Sequence, residues 1–123
     1  MEWTPEINCA YGVTFTIAAA GATVLVALQL KDYAGNALTA KNAVTVYCSS
    51  DTTGNTLVAL TTLVDATHGF SNILLATKIF HLVTEDTGIV DVTLDGTAAM
   101  TVYMNVILPN GKIVTSGAIV FNA

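Results

Sequence analysis

The chain has no arginine and four lysines against nine carboxylates, a formal net charge of −5. A protein that grips nucleic acid neutralises phosphates with Lys and Arg, so no nucleic-acid partner is expected. Charged residues make up 11% of the sequence and hydrophobic ones 53%; intrinsic disorder needs the reverse balance. There are two prolines, two histidines and two cysteines. Cys9 and Cys48 lie far apart and fit neither a Cys-x-x-Cys pair nor a zinc spacing. The opening Met-Glu-Trp-Thr-Pro-Glu carries two acids and no base, where an export leader would be positive. Without export, both cysteines are expected to be small buried hydrophobes that stay reduced.

In place of charge there is β-branching. Val, Ile and Thr contribute 14, 8 and 19 residues, 41 of the 123, and side chains stiff at χ1 favour pleated sheet over helix. The uncharged run from Ile7 to Leu30 is long enough on paper to span a bilayer. Asn8, Gly12, Thr14, Thr16, Gly21, Thr23 and Gln29 interrupt it, and Val13, Phe15 and Ile17 alternate with Thr14 and Thr16. That is strand periodicity, and no membrane partner is expected.

The alternation recurs along the chain. Val24, Val26, Leu28 and Leu30 share one face of a strand over 23–31, and Val44, Val46 and Cys48 one face of a strand over 43–49. Further strands are expected over 77–83, 89–94, 99–108 and 113–121, the last two forming a hairpin around Asn110-Gly111. The run Ala18–Ala22 reads as a bend. Residues 56–76 read as one irregular strand and a long loop through His68-Gly69-Phe70-Ser71-Asn72. The sum is an all-β fold of about seven to eight strands in two stacked antiparallel sheets, with a closed barrel as the alternative. The sandwich is expected over 13–123, preceded by an extended arm over 1–12.

Few residues could carry chemistry. His81 sits in a strand and His68 in a turn, and neither lies in a nucleophile motif such as Gly-x-Ser-x-Gly. Glu85, Asp86, Asp91 and Asp95 cluster within eleven residues, but they lack the EF-hand spacing, and Asp beside a turn Gly is favoured for its own local hydrogen bonds. No enzyme, metal or other cofactor is expected. The exterior is a different matter. A charged fraction of 11% is less than half of the usual quarter, so much of the surface must be Thr, Ala, Asn and apolar side chains, a composition that favours association. In the arm, Trp3, Pro5, Ile7 and Tyr11 are the candidate partner-binding residues, being the aromatic and apolar anchors that dominate interfaces. The alternative is that the arm folds back as an edge strand with Trp3 in the core.

Three stretches together carry a resemblance. Val26-Ala27-Leu28-Gln29-Leu30-Lys31-Asp32-Tyr33-Ala34-Gly35-Asn36-Ala37-Leu38 is similar to the strand–turn–strand opening of bacterial immunoglobulin-like modules of the invasin type. Ala43–Ser50 resembles their next strand, and Thr84–Leu94 their "T-D-x-x-G-x-x-x-V-x-L" segment. The resemblance covers roughly 23–121 without the middle at 56–76. A single copy made in the cytoplasm, with the tail Tyr103–Gly117, looks more like the small immunoglobulin-like virion proteins of tailed bacteriophages than like an exported adhesin. That resemblance implies an immunoglobulin-like two-sheet sandwich and a capsid decoration, or cement, protein in the virion. Its implied partner is the major capsid protein, with homo-oligomer formation. The alternatives are an immunoglobulin-like component of the phage tail and a sugar-binding or cell-adhesion module.

Overall fold

The computed structural model describes residues 10–21, 23–60, 62–75, 78–96, 99–109 and 111–122. Ten strands follow in order: β1 (Gly12–Ala20), β2 (Thr23–Lys31), β3 (Ala43–Ser49), β4 (Thr62–Asp65), β5 (Phe70–Leu75), β6 (Ile79–Val83), β7 (Ile89–Asp95), β8 (Met100–Ile107), β9 (Ile113–Thr115) and β10 (Ile119–Phe121). They form two antiparallel sheets. One has the order β1-β2-β7-β4; the other runs β10-β8-β3-β6-β5, with β9 also on β8.

This is the immunoglobulin-like sandwich. In that fold strands A, B, E and D make one sheet and G, F and C the other. Taking β1 to β4 as A to D, β7 as E, β8 as F, and β9 with β10 as a broken G reproduces both orders. The β5–β6 pair is then an addition between D and E, and it extends the second sheet beyond C.

The core forms where the alternating faces meet. Val24, Val26, Leu28 and Leu30 of β2 are each fully buried, as are Val90, Val92 and Leu94 of β7. From the other sheet come Val44, Val46 and Cys48, Phe80 and Leu82, and Val102, Met104 and Val106. Each such aliphatic side chain contributes about 1.5–3 kcal/mol relative to exposure, so a strand with four of them is held firmly in parity. Its neighbours in sequence carry little of that weight: Leu25 is exposed.

Three differences from the sequence reading have physical causes. The Ala18–Ala22 run is not a bend from its start, because β1 continues to Ala20 by pairing with β2 as far as Ala20↔Thr23; Gly21, at φ 74°, then turns the chain. The loop expected through residues 68–72 ends at Gly69, and Phe70 opens β5, which pairs with β6. The last strand is split. Ser116 lies between β9 and β10, its hydroxyl accepting from the Met104 amide at 2.9 Å and donating to the Gly117 carbonyl at 2.8 Å. Five residues from Thr115 to Ile119 there oppose four from Asn105 to Val102, the one-residue excess of a bulge. The expected hairpin is present, with Val106 opposite Val114. Gly12 is the first residue of β1, and Ala10 before it is fully buried, so the sandwich takes in the end of the expected arm.

One turn is locked by close approach. Gly88, at φ 74°, donates its amide to the Glu85 carbonyl and accepts from the Leu30 amide. A Cβ there would lie 2.0 Å from the Leu38 carbonyl oxygen. Gly35 has a similar φ, +86°, with open space around it. Gly35→Ala is expected to cost about 1 kcal/mol, the left-handed penalty alone, and Gly88→Ala more than about 2 kcal/mol, because backbone must also move. Urea midpoints of the two variants check this; equal losses would show that the contact with Leu38 does not constrain the turn.

Candidate interaction surface

Several of the acidic residues hold loops and neighbouring strands to the sheets. Asp91 on β7 points away from the core yet is only 7% exposed. Its carboxylate accepts the backbone amides of Thr67 at 2.8 Å and His68 at 2.6 Å, which caps the β4–β5 connection. His68 Nδ1 in turn meets the Glu85 carboxylate, both side chains half exposed. Asp95 at the end of the same strand accepts Thr23 Oγ1 and Thr62 Oγ1, each at 2.7 Å, and so stitches β2 and β4 to β7. Asp86 lies exposed in the β6–β7 turn. The acids that crowd together in sequence are thus spread over separate tasks, and no group of three or more potential metal ligands exists among the described residues. His81 sits on β6 opposite Thr45 and Asn72.

Cys48 is 1% exposed and unbridged, and burial pushes its thiol up to about 12. At neutral pH it is a protonated hydrophobe. Cys9 lies outside the described residues.

Sequence reasoning missed a polar knot on the outer side of the second sheet. Asn105 is fully buried; its amide donates to Ser49 Oγ at 2.9 Å and its carbonyl accepts Thr115 Oγ1 at 2.8 Å. Ser49 Oγ donates onward to the Asp51 carbonyl, and Tyr47 reaches across to the Gly54 carbonyl. The Asp51 carboxylate gathers Thr53 Oγ1 and the amides of Asn55 and Thr56. These bonds strap the 50–57 loop over the sheet. No buried side-chain polar atom among the described residues is left unsatisfied, so the knot closes on itself. Polar alternation in the sequence marks Asn105 as outward; only the fold shows that it is covered.

Of the four arm residues, Tyr11 alone is among those described; Trp3, Pro5 and Ile7 lie outside them. Tyr11 donates its amide to the Lys31 carbonyl at 2.8 Å and sets its ring against Tyr33, centroids 6.0 Å apart and planes at 67°. That is the edge-to-face geometry which aromatic quadrupoles favour. Tyr33, read in the sequence only as part of a turn, is 72% exposed. Asp32 holds that turn by accepting the amides of Ala34 and Asn36. The pair presents an aromatic surface, most of it Tyr33's, beside the start of β1. A second apolar surface runs along β5, where Phe70, Ile73, Leu74 and Leu75 are 48–63% exposed. No cavity is present among the described residues, and no helix there is long and apolar enough to cross a membrane.

No protein-family model matches the chain, and neither does any curated protein sequence. Among solved structures, a cohesin module from a Clostridium perfringens ATCC13124 family 33 glycoside hydrolase is similar over 93% of this chain and 98% of that module. The identity is 13% and the TM-score 0.47.

The Asp95 bridge yields a pH test. The Thr62 hydroxyl, then that of Thr23, hold its carboxyl below the usual carboxylate range against a smaller opposing effect of desolvation. A carboxyl whose folded pKa is depressed contributes stability above its unfolded value, about 3.9, and loses it as pH falls through the folded value. The wild type is therefore expected to unfold at higher urea than Asp95→Asn at neutral pH, with the gap closing below about pH 4. A gap that stays constant into acid would mean that the ionised bridge does not stabilise the sheet.

Proposed function

We propose that this chain is a non-enzymatic attachment module. Following its resemblance to small phage virion proteins, we read it as a decoration protein on the outside of a tailed-phage head shell. The observation that carries the attachment reading is the Tyr11–Tyr33 pair, in which the exposed Tyr33 ring of a hydrogen-bonded turn packs against Tyr11, itself bonded to the Lys31 carbonyl. Tyr is among the residues that dominate binding energy because it buries large area at low entropic cost. The arm residues Trp3, Pro5 and Ile7 add anchors from the adjoining segment. Modest affinity at each contact suffices where many copies cover a repeating shell, because linkage through neighbours multiplies the effect. A net charge of −5 favours solubility of the unassembled protein.

The experiment is sedimentation of purified shells with added protein. Saturable uptake is expected, with shells that rupture at higher temperature when covered. Tyr33→Ala should weaken uptake by roughly tenfold, the scale of one hot-spot side chain, with a loss of only a few degrees in the melting temperature of the free protein from the lost contact with Tyr11. Shells that never take up the protein, or that are equally robust bare, would count against decoration. Uptake by purified tails instead would move the attachment to the tail.

A further inference from the structure

We infer that the free edge of β5 is a self-association surface, and that two copies of this chain pair there edge to edge, antiparallel about a two-fold axis. The strand reads Phe70-Ser71-Asn72-Ile73-Leu74-Leu75, with no charge and no proline. Among the described residues only β6 pairs with it, so its other edge presents unpaired backbone groups. Natural sheets blunt such edges with Lys, Pro, inward charges or bulges. Here the one such device is a bulge between Ile73 and Leu75, which leaves Phe70 to Ile73 regular. The other open edge on this side of the sandwich, β4, carries Asp65.

The occupant follows from charge and area. Each copy carries a net charge of −5, and a charged partner would be drawn to the carboxylates, none of which lies on β5. A second copy brings an equally uncharged strand, so pairing here places no like charges directly opposite one another. Phe70, Ile73, Leu74 and Leu75 are 48%, 63%, 56% and 49% exposed. At about 200 Å² for a large side chain, they offer roughly 400 Å² of apolar surface per copy. Edge pairing covers only part of that area on each face, so two copies with the strand backbones bury less than the roughly 1,000 Å² of a stable interface, the size of a weak and concentration-dependent contact. A two-fold contact of one patch with itself also closes, giving a dimer and not a fibre. The inference does not rest on the attachment reading, since Tyr11 and Tyr33 belong to the first sheet's end of the chain and β5 to the second sheet.

Sedimentation velocity of the isolated full chain, from micromolar to near-millimolar concentration, tests it without any shell. A reversible monomer–dimer equilibrium is expected. Ile73→Lys should raise the dimer dissociation constant at least about tenfold, because the charge would be buried against its own copy. Ile113→Lys, at a similarly exposed position on β9, should leave it unchanged. Circular dichroism establishes that both variants fold. Hydrogen exchange of the β5 amides should show protection that rises with concentration. A wild type that stays monomeric, a dimer indifferent to Ile73→Lys, or β5 protection independent of concentration would each overturn the inference, the last by showing that the chain covers its own edge.

Discussion

The parity of β2 and β7 governs the rest of the molecule. These two strands lie side by side at the centre of the first sheet, and their buried residues fall opposite one another, Val24 with Leu94, Val26 with Val92 and Leu28 with Val90. A slip of one residue in either would turn Gln29 and Lys31, or Asp91 and Asp95, toward the core and expose the aliphatic set. Burial of seven aliphatic side chains weighs far more than any single hydrogen bond, at about 1 kcal/mol net. Parity then dictates which side chains are left outside, and so where Asp91, Asp95 and Gln29 can act.

What those outward groups do explains how a chain with so little charge holds its loops. Asp32, Asp51, Asp91 and Asp95 all accept hydrogen bonds from backbone amides or threonine hydroxyls of their own chain. Gln29 spends its amide on the Thr87 and Gly88 carbonyls. Acids that would commonly face solvent or a basic partner are turned to internal use. The exterior is left to threonine and to apolar side chains, which is why exposed aromatic and aliphatic surfaces appear without a matching charged rim.

The parts of this arrangement that were legible in sequence are those that alternate. β2, β3, β7 and β8 each place small or branched apolar residues on every second position, and their buried faces follow directly. β5 was not legible because Ile73, Leu74 and Leu75 are apolar at successive positions and all about half exposed, so no alternation marks an inner and an outer face. β4 is four residues long and too short to show a period. The polar contacts were illegible for another reason: Asp91 meets His68 and Asn105 meets Ser49 across long stretches of chain, and no local pattern encodes such a meeting. Tyr33 hid in a turn whose Asp, Gly and Asn accounted for the whole segment. The arm candidates Trp3, Pro5 and Ile7 were visible as composition, and Tyr11 alone gains a structural setting.

The break in the last strand has a mechanical consequence. The Asn122 amide bonds to the Gly21 carbonyl, which places the end of β10 at the far pole of β1 from Gly12. Tension between these two poles therefore runs along the strands and loads their ladders in shear, so that all the bonds of a ladder must yield together. β1 meets that load with nine registered pairs against β2, whereas β10 has three against β8. Ser116 interrupts the continuity that would have shared the force with β9. Under pull the molecule surrenders its final strand first, and the long ladder at the other end holds.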